Sequence, residues 1–264
     1  MAAPVSYTPN GSAAIVRIER PERRNAVDGE TAGLLLDGYG EFEADDDARA
    51  LVLTGEGPEA FCAGADLKAL AEAGPDIPTE VIESVASRSE GPMGFTRLTP
   101  SKPTIAAISG WCLAGGLELA VWCDLRIATE TAQLGFTERR FGVPLIDGGT
   151  QRLPLIVGMG RALEMILTGR VLHAGEALDW GLLNEVVAEG AHLDRALEIA
   201  EGLARFPQTT MLSDRRAAIE GAGLSLEDGL ALEAEIGRAS IETGIRGATR
   251  FAAGEGRGAQ GAGV

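Results

Sequence analysis

The spacing of hydrophobic and polar positions changes several times along the first part of the chain, and each pattern predicts an element. Residues 5–8 and 14–19 are strand-like, and the Asn10-Gly11 pair between them is typical of a hairpin turn. Apolar residues then recur at helical spacing over residues 28–42. A continuous apolar run at residues 50–54 is typical of a strand buried on both faces of a parallel sheet.

The same alternation continues further along the chain. Helical spacing is predicted over residues 66–73 and 78–98, and a second buried strand over residues 103–108. A glycine-rich turn leads from that strand into a helix at residues 117–122, and residues 126–128 form a further strand. Strands that alternate with helices indicate an α/β core with a largely parallel sheet.

The pattern changes after about residue 193. Three helical segments follow one another without strand signals, at residues 193–206, 208–222 and 225–243. We therefore predict two regions, an α/β core over residues 1–192 and a helical C-terminal region over residues 193–264 that packs on the core or on a neighbouring subunit. Residues 254–264 are rich in Gly and Ala without apolar periodicity, and they are expected to fray.

Composition and charge narrow the possible functions. The 264 residues include 23 Lys+Arg against 39 Asp+Glu, and the net charge of −16 argues against nucleic acid or an anionic membrane surface as a partner. The sequence has neither a signal-peptide pattern nor an apolar run of membrane length, so a soluble, cytoplasmic protein is expected. Three cysteines without a C-x-x-C pair indicate reduced, buried thiols, and the isolated His173 and His192 do not suggest a metal site.

Two glycine-rich turns carry the first candidate chemistry. The segments at residues 55–66 and 109–116 each follow a strand and lead into a helix. Glycine lets the backbone approach a ligand closely, and a helix N-terminus leaves N–H groups unpaired beside a partial positive charge. Neither segment has the G-x-G-x-x-G or G-K-[ST] spacing of dinucleotide- and ATP-binding loops. Two such turns could direct two N–H groups at one developing oxyanion, as enolate chemistry at a thioester carbonyl requires.

Two glutamates are candidate acids or bases. Glu118 lies in the first turn of the helix that follows the second glycine-rich turn, where a solvated glutamate that compensates the helix dipole is common. Its neighbours are apolar, which indicates partial burial and a raised pKa. Glu138, in the sequence G-F-T-E-R-R, cannot be distinguished by its neighbours alone from a surface glutamate paired with arginine.

Several ordered motifs resemble those of the crotonase (enoyl-CoA hydratase/isomerase) superfamily. In chain order they are R-P-E-R-R-N-A at residues 20–26, F-C-A-G-A-D-L-K at 61–68, the segment around Glu118 at 109–124, G-G-T-Q-R-L at 148–153 and L-T-G-R at 167–170. The likeness extends from about residue 13 to residue 187. It implies an α/β spiral of β-β-α units with a helical C-terminal region, assembled as a homotrimer or a dimer of trimers.

The resemblance also implies an activity, the hydration of 2-enoyl-CoA thioesters to 3-hydroxyacyl-CoA, with coenzyme A as part of the substrate and no other cofactor. The backbone N–H groups of Ala65 and Gly115 would form the oxyanion hole for the thioester oxygen. Glu118 and Glu138 would hold one water between them. Glu118 would help to activate this water for attack at C3, and Glu138 would exchange the proton at C2.

Further residues are expected to bind the substrate because of their positions in the same motifs. Lys68 would lie near the coenzyme A phosphates and adenine, with Arg23 or Arg24 assisting. Ala63 and Asp66 belong to the predicted oxyanion loop and are also assigned to substrate binding.

Asp147 departs from the family pattern. Where many hydratases read P-G-A-G-G, residues 145–149 read L-I-D-G-G, which places a third carboxylate near the presumed acyl group. Asp147 could be a catalytic acid, a group that recognises a substrate hydroxyl, or an ion-pair partner of a nearby arginine. The candidate arginines are Arg139, Arg140 and Arg152.

Two other functions stay open at this point. The first is an enoyl-CoA or dienoyl-CoA double-bond isomerase that uses Glu138 with Asp147. The second is a non-catalytic acyl-CoA-binding protein, which would leave the pair of glutamates without a role.

Overall fold

The computed structural model describes residues 3–72, 74 and 78–256. The chain divides into two compact units, Met1–Ala200 and Glu201–Val264. The first unit contains the sheets, and the second is helical. The predicted division at residues 192–193 stays a prediction. Most of the tail that is expected to fray, residues 257–264, lies outside the described residues.

The strands of the first unit form two mixed sheets. In chain order they are β1 (Val5–Asn10), β2 (Ala13–Ile18), β3 (Ala50–Gly55), β4 (Ala60–Cys62), β5 (Thr104–Ile108), β6 (Trp111–Leu113), β7 (Leu125–Thr129), β8 (Gln133–Gly135), β9 (Val171–His173) and β10 (Glu185–Val187). The larger sheet has the order β1-β2-β3-β5-β7-β10 and is parallel except for the β1-β2 hairpin. The smaller sheet has the order β4-β6-β8-β9, with an antiparallel β8-β9 pair.

Helices connect and cover these strands. In chain order they are α1 (Gly29–Ala44), α2 (Leu67–Glu72), α3 (Thr79–Ser87), α4 (Gly115–Trp122), α5 (Gly149–Val157), α6 (Met159–Thr168), α7 (Ala174–Asp179), α8 (His192–Ala204), α9 (Gln208–Glu220), α10 (Leu226–Gly237) and α11 (Ile241–Arg250). Short 3-10 turns occupy Pro21–Arg23, Thr137–Phe141 and Arg238–Ser240, and a π turn occupies Phe251–Glu255. None of the helices among the described residues has the length and apolar character needed to cross a bilayer.

The apolar runs of the sequence become the centre of the larger sheet. Every residue of β3 and of β5 is buried, as expected for parallel strands covered on both faces. Helix α4 is buried along its whole length. It packs directly on β4, because a Cβ atom at Gly116 would lie 2.1 Å from the carbonyl oxygen of Cys62. The three cysteines are unpaired and buried, as predicted.

The sequence-based prediction was wrong over part of residues 78–98. Helix α3 ends at Ser87, and the chain then runs through turns in which Gly91 and Gly94 have left-handed φ values of 96° and 108°. Helical spacing of apolar residues continues there, but two glycines in this conformation cannot belong to a helix. These turns form part of the wall of the cavity described below.

Candidate active site

The two glycine-rich turns meet at the carboxyl ends of the short strands β4 and β6. A Cβ atom at Gly64 would lie 2.8 Å from the Cβ of Ala114 and 2.9 Å from the nitrogen of Gly115. Only glycine permits this approach, and Gly64 has a left-handed φ of 92°. The two turns predicted from sequence to share one oxyanion are therefore in contact.

Each of these turns presents an N–H group without an acceptor. On the first turn, Val27 donates to the carbonyl of Gly64 and Asp66 donates to that of Val27, both at 2.8 Å, and the Ala65 N–H between them has no acceptor among the described residues. On the second, Ala114 donates to the carbonyl of Gly135 at 2.8 Å. The next N–H, that of Gly115, begins helix α4 and has no intrahelical partner.

Ala114 holds the second turn in an uncommon conformation. Its φ of 52° and ψ of −126° are rare for a residue with a Cβ atom, and such strain persists only where the surrounding structure enforces it. Strain of this kind is concentrated at functional sites. Here it fixes the direction of the following N–H group, at Gly115.

Glu118 projects from the first turn of α4 and is only 3% exposed. Its Oε1 accepts hydrogen bonds from the backbone N–H groups of Asp147 and Gly149, at 3.0 and 2.8 Å. Burial is the largest cause that raises the pKa of Glu118 to about 7, and the charges of Asp147 and Glu138 add to it. At neutral pH this carboxyl can therefore both accept and donate a proton.

Glu138 lies on the 3-10 turn Thr137–Phe141, which follows the short strand β8. It is buried, and neither carboxyl oxygen has a hydrogen-bond partner among the described residues. Burial raises the pKa of Glu138. A buried carboxyl without partners is costly to the fold, which makes Glu138 a candidate for a functional group.

Asp147 lies beside Glu118 and is also buried. Its Oδ1 accepts a hydrogen bond from the Met93 N–H at 2.9 Å and a short one from the Thr96 hydroxyl. Burial raises its pKa, and these two donors oppose the rise. The third carboxyl of the site is thus held by the turns at residues 88–98.

The ion pair suggested for Asp147 does not form. Arg139 and Arg140 donate to backbone carbonyls of Ile166 and Gly169. Arg152 donates to the backbone carbonyl of Asp147 at 3.0 Å and to that of Thr96 at 2.6 Å, not to the carboxylate. The spacing suggested a side-chain pair, but all three guanidinium groups donate to backbone carbonyls instead.

These groups face one cavity of about 390 Å³. Its lining includes the predicted oxyanion-hole residues and the three buried acidic residues described above, namely Ala65, Gly115, Glu118, Glu138 and Asp147. Ala63, Asp66 and Met93 also line it. A cavity of this size with convergent polar groups fits a small acyl group. The arrangement can stabilise an oxyanion and support proton transfer to and from a ligand in the same cavity.

A partly buried ion cluster contributes two of its residues, Asp28 and Asp66, to the lining of the cavity. Arg20 contacts the carboxylates of Asp28 and Asp66, at 2.7 and 3.1 Å. Asp66 also caps helix α2 by accepting from the N–H groups of Lys68 and Ala69. The cluster therefore ties the start of α1 to the loop that carries Ala65.

Comparison with known proteins agrees with this geometry. The model of the family "Enoyl-CoA hydratase/isomerase" matches residues 8–252. A short-chain-enoyl-CoA hydratase of Clostridium acetobutylicum is 36% identical over 229 residues, which cover 85% of this chain and 84% of that protein. The chain belongs to the enoyl-CoA hydratase/isomerase (crotonase) family.

Other relatives and solved structures of the crotonase family are equally similar. An (E)-benzylidenesuccinyl-CoA hydratase of Thauera aromatica is 36% identical over 227 residues, 86% of each chain. The crystal structure of an enoyl-CoA hydratase from Mycobacterium marinum superposes with a TM-score of 0.85 at 33% identity, covering 96% of both chains. The expected crotonase fold with a helical C-terminal region is thus confirmed, and family membership implies an acyl-CoA substrate.

The cavity brings together most, but not all, of the residues that the crotonase motifs suggested. Lys68 is exposed and does not line it, and Arg24 is exposed and pairs with Glu59 at 2.9 Å. The carboxylate of Asp66 is already engaged by Arg20. Binding of substrate by these three residues stays a prediction.

Three residues of the site were not identified from sequence as part of it. Met93 and Thr96 lie in the segment predicted to be helical, and their contacts with Asp147 join positions more than fifty residues apart. Arg20 was noted only as part of a motif, and its two carboxylate partners could not be assigned before the loops were placed.

The raised pKa of Glu118 leads to a prediction about stability. This carboxyl titrates at about 7 in the folded state and near its ordinary 4.5 when unfolded, so the folded state binds more protons between those values. Stability therefore falls as pH rises through this window. Between pH 5 and 8 we expect the free energy of unfolding of Glu118→Gln to rise by about 2–3 kcal/mol relative to wild type.

Urea denaturation at both pH values measures this difference. Glu130→Gln, at an exposed position, is the control and should follow wild type. Parallel pH profiles for Glu118→Gln and wild type would contradict the assignment of a raised pKa to this carboxyl.

Proposed function

We propose that the protein adds water across the double bond of 2-enoyl-CoA thioesters to give 3-hydroxyacyl-CoA. One observation carries the proposal: two buried glutamates, Glu118 and Glu138, line the same cavity as two N–H groups without acceptors. Hydration passes through an enolate-like charge at the thioester oxygen, and it needs a base for the water that attacks C3 and an acid that delivers a proton to C2. The cavity offers both.

The thioester oxygen binds the N–H groups of Ala65 and Gly115 in this proposal. Because these donors are fixed by contact between the two turns, they need no reorganisation as negative charge develops. Each donor of this kind contributes about 3 kcal/mol to stabilisation of the transition state.

The attacking water lies between the two glutamates. Oε1 of Glu118 is occupied by two backbone N–H groups, so its other oxygen is free to accept from water. Glu118 helps to activate the water for attack at C3, and Glu138 exchanges the proton at C2. The pKa of Glu118, raised to about 7, supports proton exchange near neutral pH, and burial raises the pKa of Glu138 as well.

Double-bond isomerisation is the second candidate. Asp147 supports it because this third buried carboxyl lies in the same cavity as Glu138, and two carboxyls can move a proton between C2 and C4 without adding water. A non-catalytic acyl-CoA-binding protein is a third possibility, but it leaves the partnerless Glu138 unexplained.

Reaction with crotonyl-CoA in ¹⁸O-labelled water tests these functions. Hydration is expected to abolish the ultraviolet absorbance of the conjugated thioester and to place one solvent oxygen at C3. Double-bond movement in longer enoyl-CoAs without label would favour the isomerase. If short and medium enoyl-CoAs bind but remain unchanged, the protein is not a hydratase.

We also propose that the coenzyme A moiety passes Lys68 and Arg24, which are exposed cations in a strongly acidic chain. Self-association as a homotrimer or a dimer of trimers is a further proposal. It is supported by exposed apolar side chains on the helices of Glu201–Val264, including Leu226, Ile245 and Phe251. Light scattering measures the mass of the assembly.

A further inference from the structure

One oxygen of Asp147 has no role in the contacts described above. The residue is 4% exposed, and its side chain lines the cavity beside Glu118. Both protein donors to the carboxyl, the Met93 N–H and the Thr96 hydroxyl, bind Oδ1. Oδ2 accepts from none of the described residues, and it keeps some solvent-accessible surface. Because Asp147 lines the cavity, we take this surface to face the cavity.

The direction of Oδ2 is fixed by close packing. A Cβ atom at Gly91 would lie 3.0 Å from Oδ1 of Asp147 and 2.3 Å from the Thr96 hydroxyl oxygen, so only glycine fits there. Arg152 joins the same two segments by donating to the backbone carbonyls of Asp147 and Thr96. Because the carboxyl is held at Oδ1 and through its backbone, it cannot turn away when a substrate enters.

A purely alkyl acyl chain would bind unfavourably against the part of the cavity surface formed by Oδ2 of Asp147. Binding such a chain would remove water from Oδ2 and leave a buried carboxyl oxygen without a donor, which is costly. A hydroxyl on the acyl chain would donate to Oδ2 and restore the lost hydrogen bond. Sites with such a polar group discriminate strongly against analogues that lack the hydroxyl.

We infer that the acyl group of the natural substrate carries a hydrogen-bond donor, in the simplest case a hydroxyl, on a carbon beyond C3, and that this donor binds Oδ2 of Asp147. The position along the chain rests on the proposed function, because it takes C3 to lie at Glu118. The backbone N–H of Asp147 donates to Glu118 Oε1, so the carboxyl of Asp147 lies next to that point.

Charge in the cavity argues for a neutral or cationic donor over an anionic group. Five acidic residues are among the described lining residues, Asp28, Asp66, Glu118, Glu138 and Asp147, against one basic residue, the exposed Arg88. Arg20 pairs with both Asp28 and Asp66, so these two carboxylates share a single cation. An acyl group that ends in a carboxylate would therefore enter a cavity in which acidic side chains outnumber basic ones. A hydroxyl, in contrast, can donate a hydrogen bond to a carboxyl oxygen of these residues.

A matched pair of substrates tests the inference. trans-4-Hydroxy-2-butenoyl-CoA and trans-2-pentenoyl-CoA differ only by a hydroxyl in place of a methyl group. We expect kcat/KM of the wild-type enzyme to favour the hydroxylated thioester by about 10- to 100-fold, the effect of one hydrogen bond to a charged group. A second pair, 5-hydroxy-2-pentenoyl-CoA and 2-hexenoyl-CoA, places the donor one carbon further.

Two variants assign the preference to Asp147. In Asp147→Ala the preference should disappear. Thr96→Val removes a partner of Oδ1 but leaves Oδ2 in place, so it should lower both rates while keeping their ratio. A ratio is insensitive to general loss of folded protein. The comparison of the paired substrates on wild-type enzyme needs no variant. It therefore tests the preference for a hydroxyl even if a variant fails to fold.

The inference is overturned if wild type prefers the hydroxylated member of neither pair, or if Asp147→Ala keeps the preference. Failure of the proposed function looks different, because then neither thioester is turned over. In that case calorimetric titration measures binding of the same thioesters without turnover. The inference predicts that wild type binds the hydroxylated thioester about 10- to 100-fold more tightly and that Asp147→Ala does not. Equal Kd values for wild type would overturn it.

Discussion

Replacing Glu118 with glutamine is expected to lower kcat for enoyl-CoA hydration by about 10²–10⁴-fold, with little change in the fold. The amide oxygen of glutamine can still accept from the N–H groups of Asp147 and Gly149, so the hydrogen bonds that position the side chain are kept. What is lost is the ability to take up and release a proton. Stopped-flow measurement of crotonyl-CoA absorbance gives the rate.

Glu138→Gln should show a loss of the same size, for a simpler reason. Neither oxygen of Glu138 has a protein partner, so the substitution breaks no hydrogen bond of the described residues. Glu130→Gln, at an exposed position, provides the matched control and should retain wild-type turnover. If either active-site variant kept more than about a tenth of wild-type kcat, general acid–base catalysis by that carboxyl would be excluded.

Loss of Arg20 is expected to have the largest effect on stability. Its guanidinium lies between the buried carboxylate of Asp66 and that of Asp28, and Arg20→Leu leaves both without their cation. Removal of one partner from a fully buried ion pair costs about 3–5 kcal/mol. Because Asp28 is partly exposed and only Asp66 is left as a buried charge, we expect a loss of about 2–4 kcal/mol here. Chemical denaturation should show this decrease in the free energy of unfolding.

Arg17→Leu is the matched control for Arg20→Leu. Arg17 pairs with Glu56 at 2.7 Å in the same unit, but that pair is substantially exposed to solvent. An exposed pair contributes about 0–1 kcal/mol, so this variant should remain close to wild type. Equal losses for the two substitutions would mean that the Arg20 cluster contributes no more than a surface ion pair.

The sequence predicted the larger sheet well, because its central strands are buried on both faces and appear as continuous apolar runs. Strands β3 and β5 were placed within one residue of their ends. The smaller sheet was not predicted. Its strands β4, β6, β8 and β9 have three residues each, too few to show a period, and they form through pairing with segments distant in sequence.

Prediction of the site depended on the same distinction between local and distant contacts. The burial of Glu118 could be predicted from its apolar neighbours on α4. The burial of Glu138 could not, because two arginines follow it directly in sequence, as beside a surface glutamate. For Asp147 the nearby arginines suggested a partner, whereas its donors, Met93 and Thr96, come from a segment whose turns were predicted to be helical.

The reactivity of the buried native cysteines can be used to measure local opening of the fold. Burial raises the pKa of the Cys62 thiol to about 12, and Cys112 and Cys123 are shifted in the same direction, so all three resist thiolate-specific reagents while the core is closed. Cys62 accepts a hydrogen bond from the N–H of Gly64, within the first glycine-rich turn itself. Its rate of alkylation therefore reports how often that turn separates from the sheet, without any introduced label.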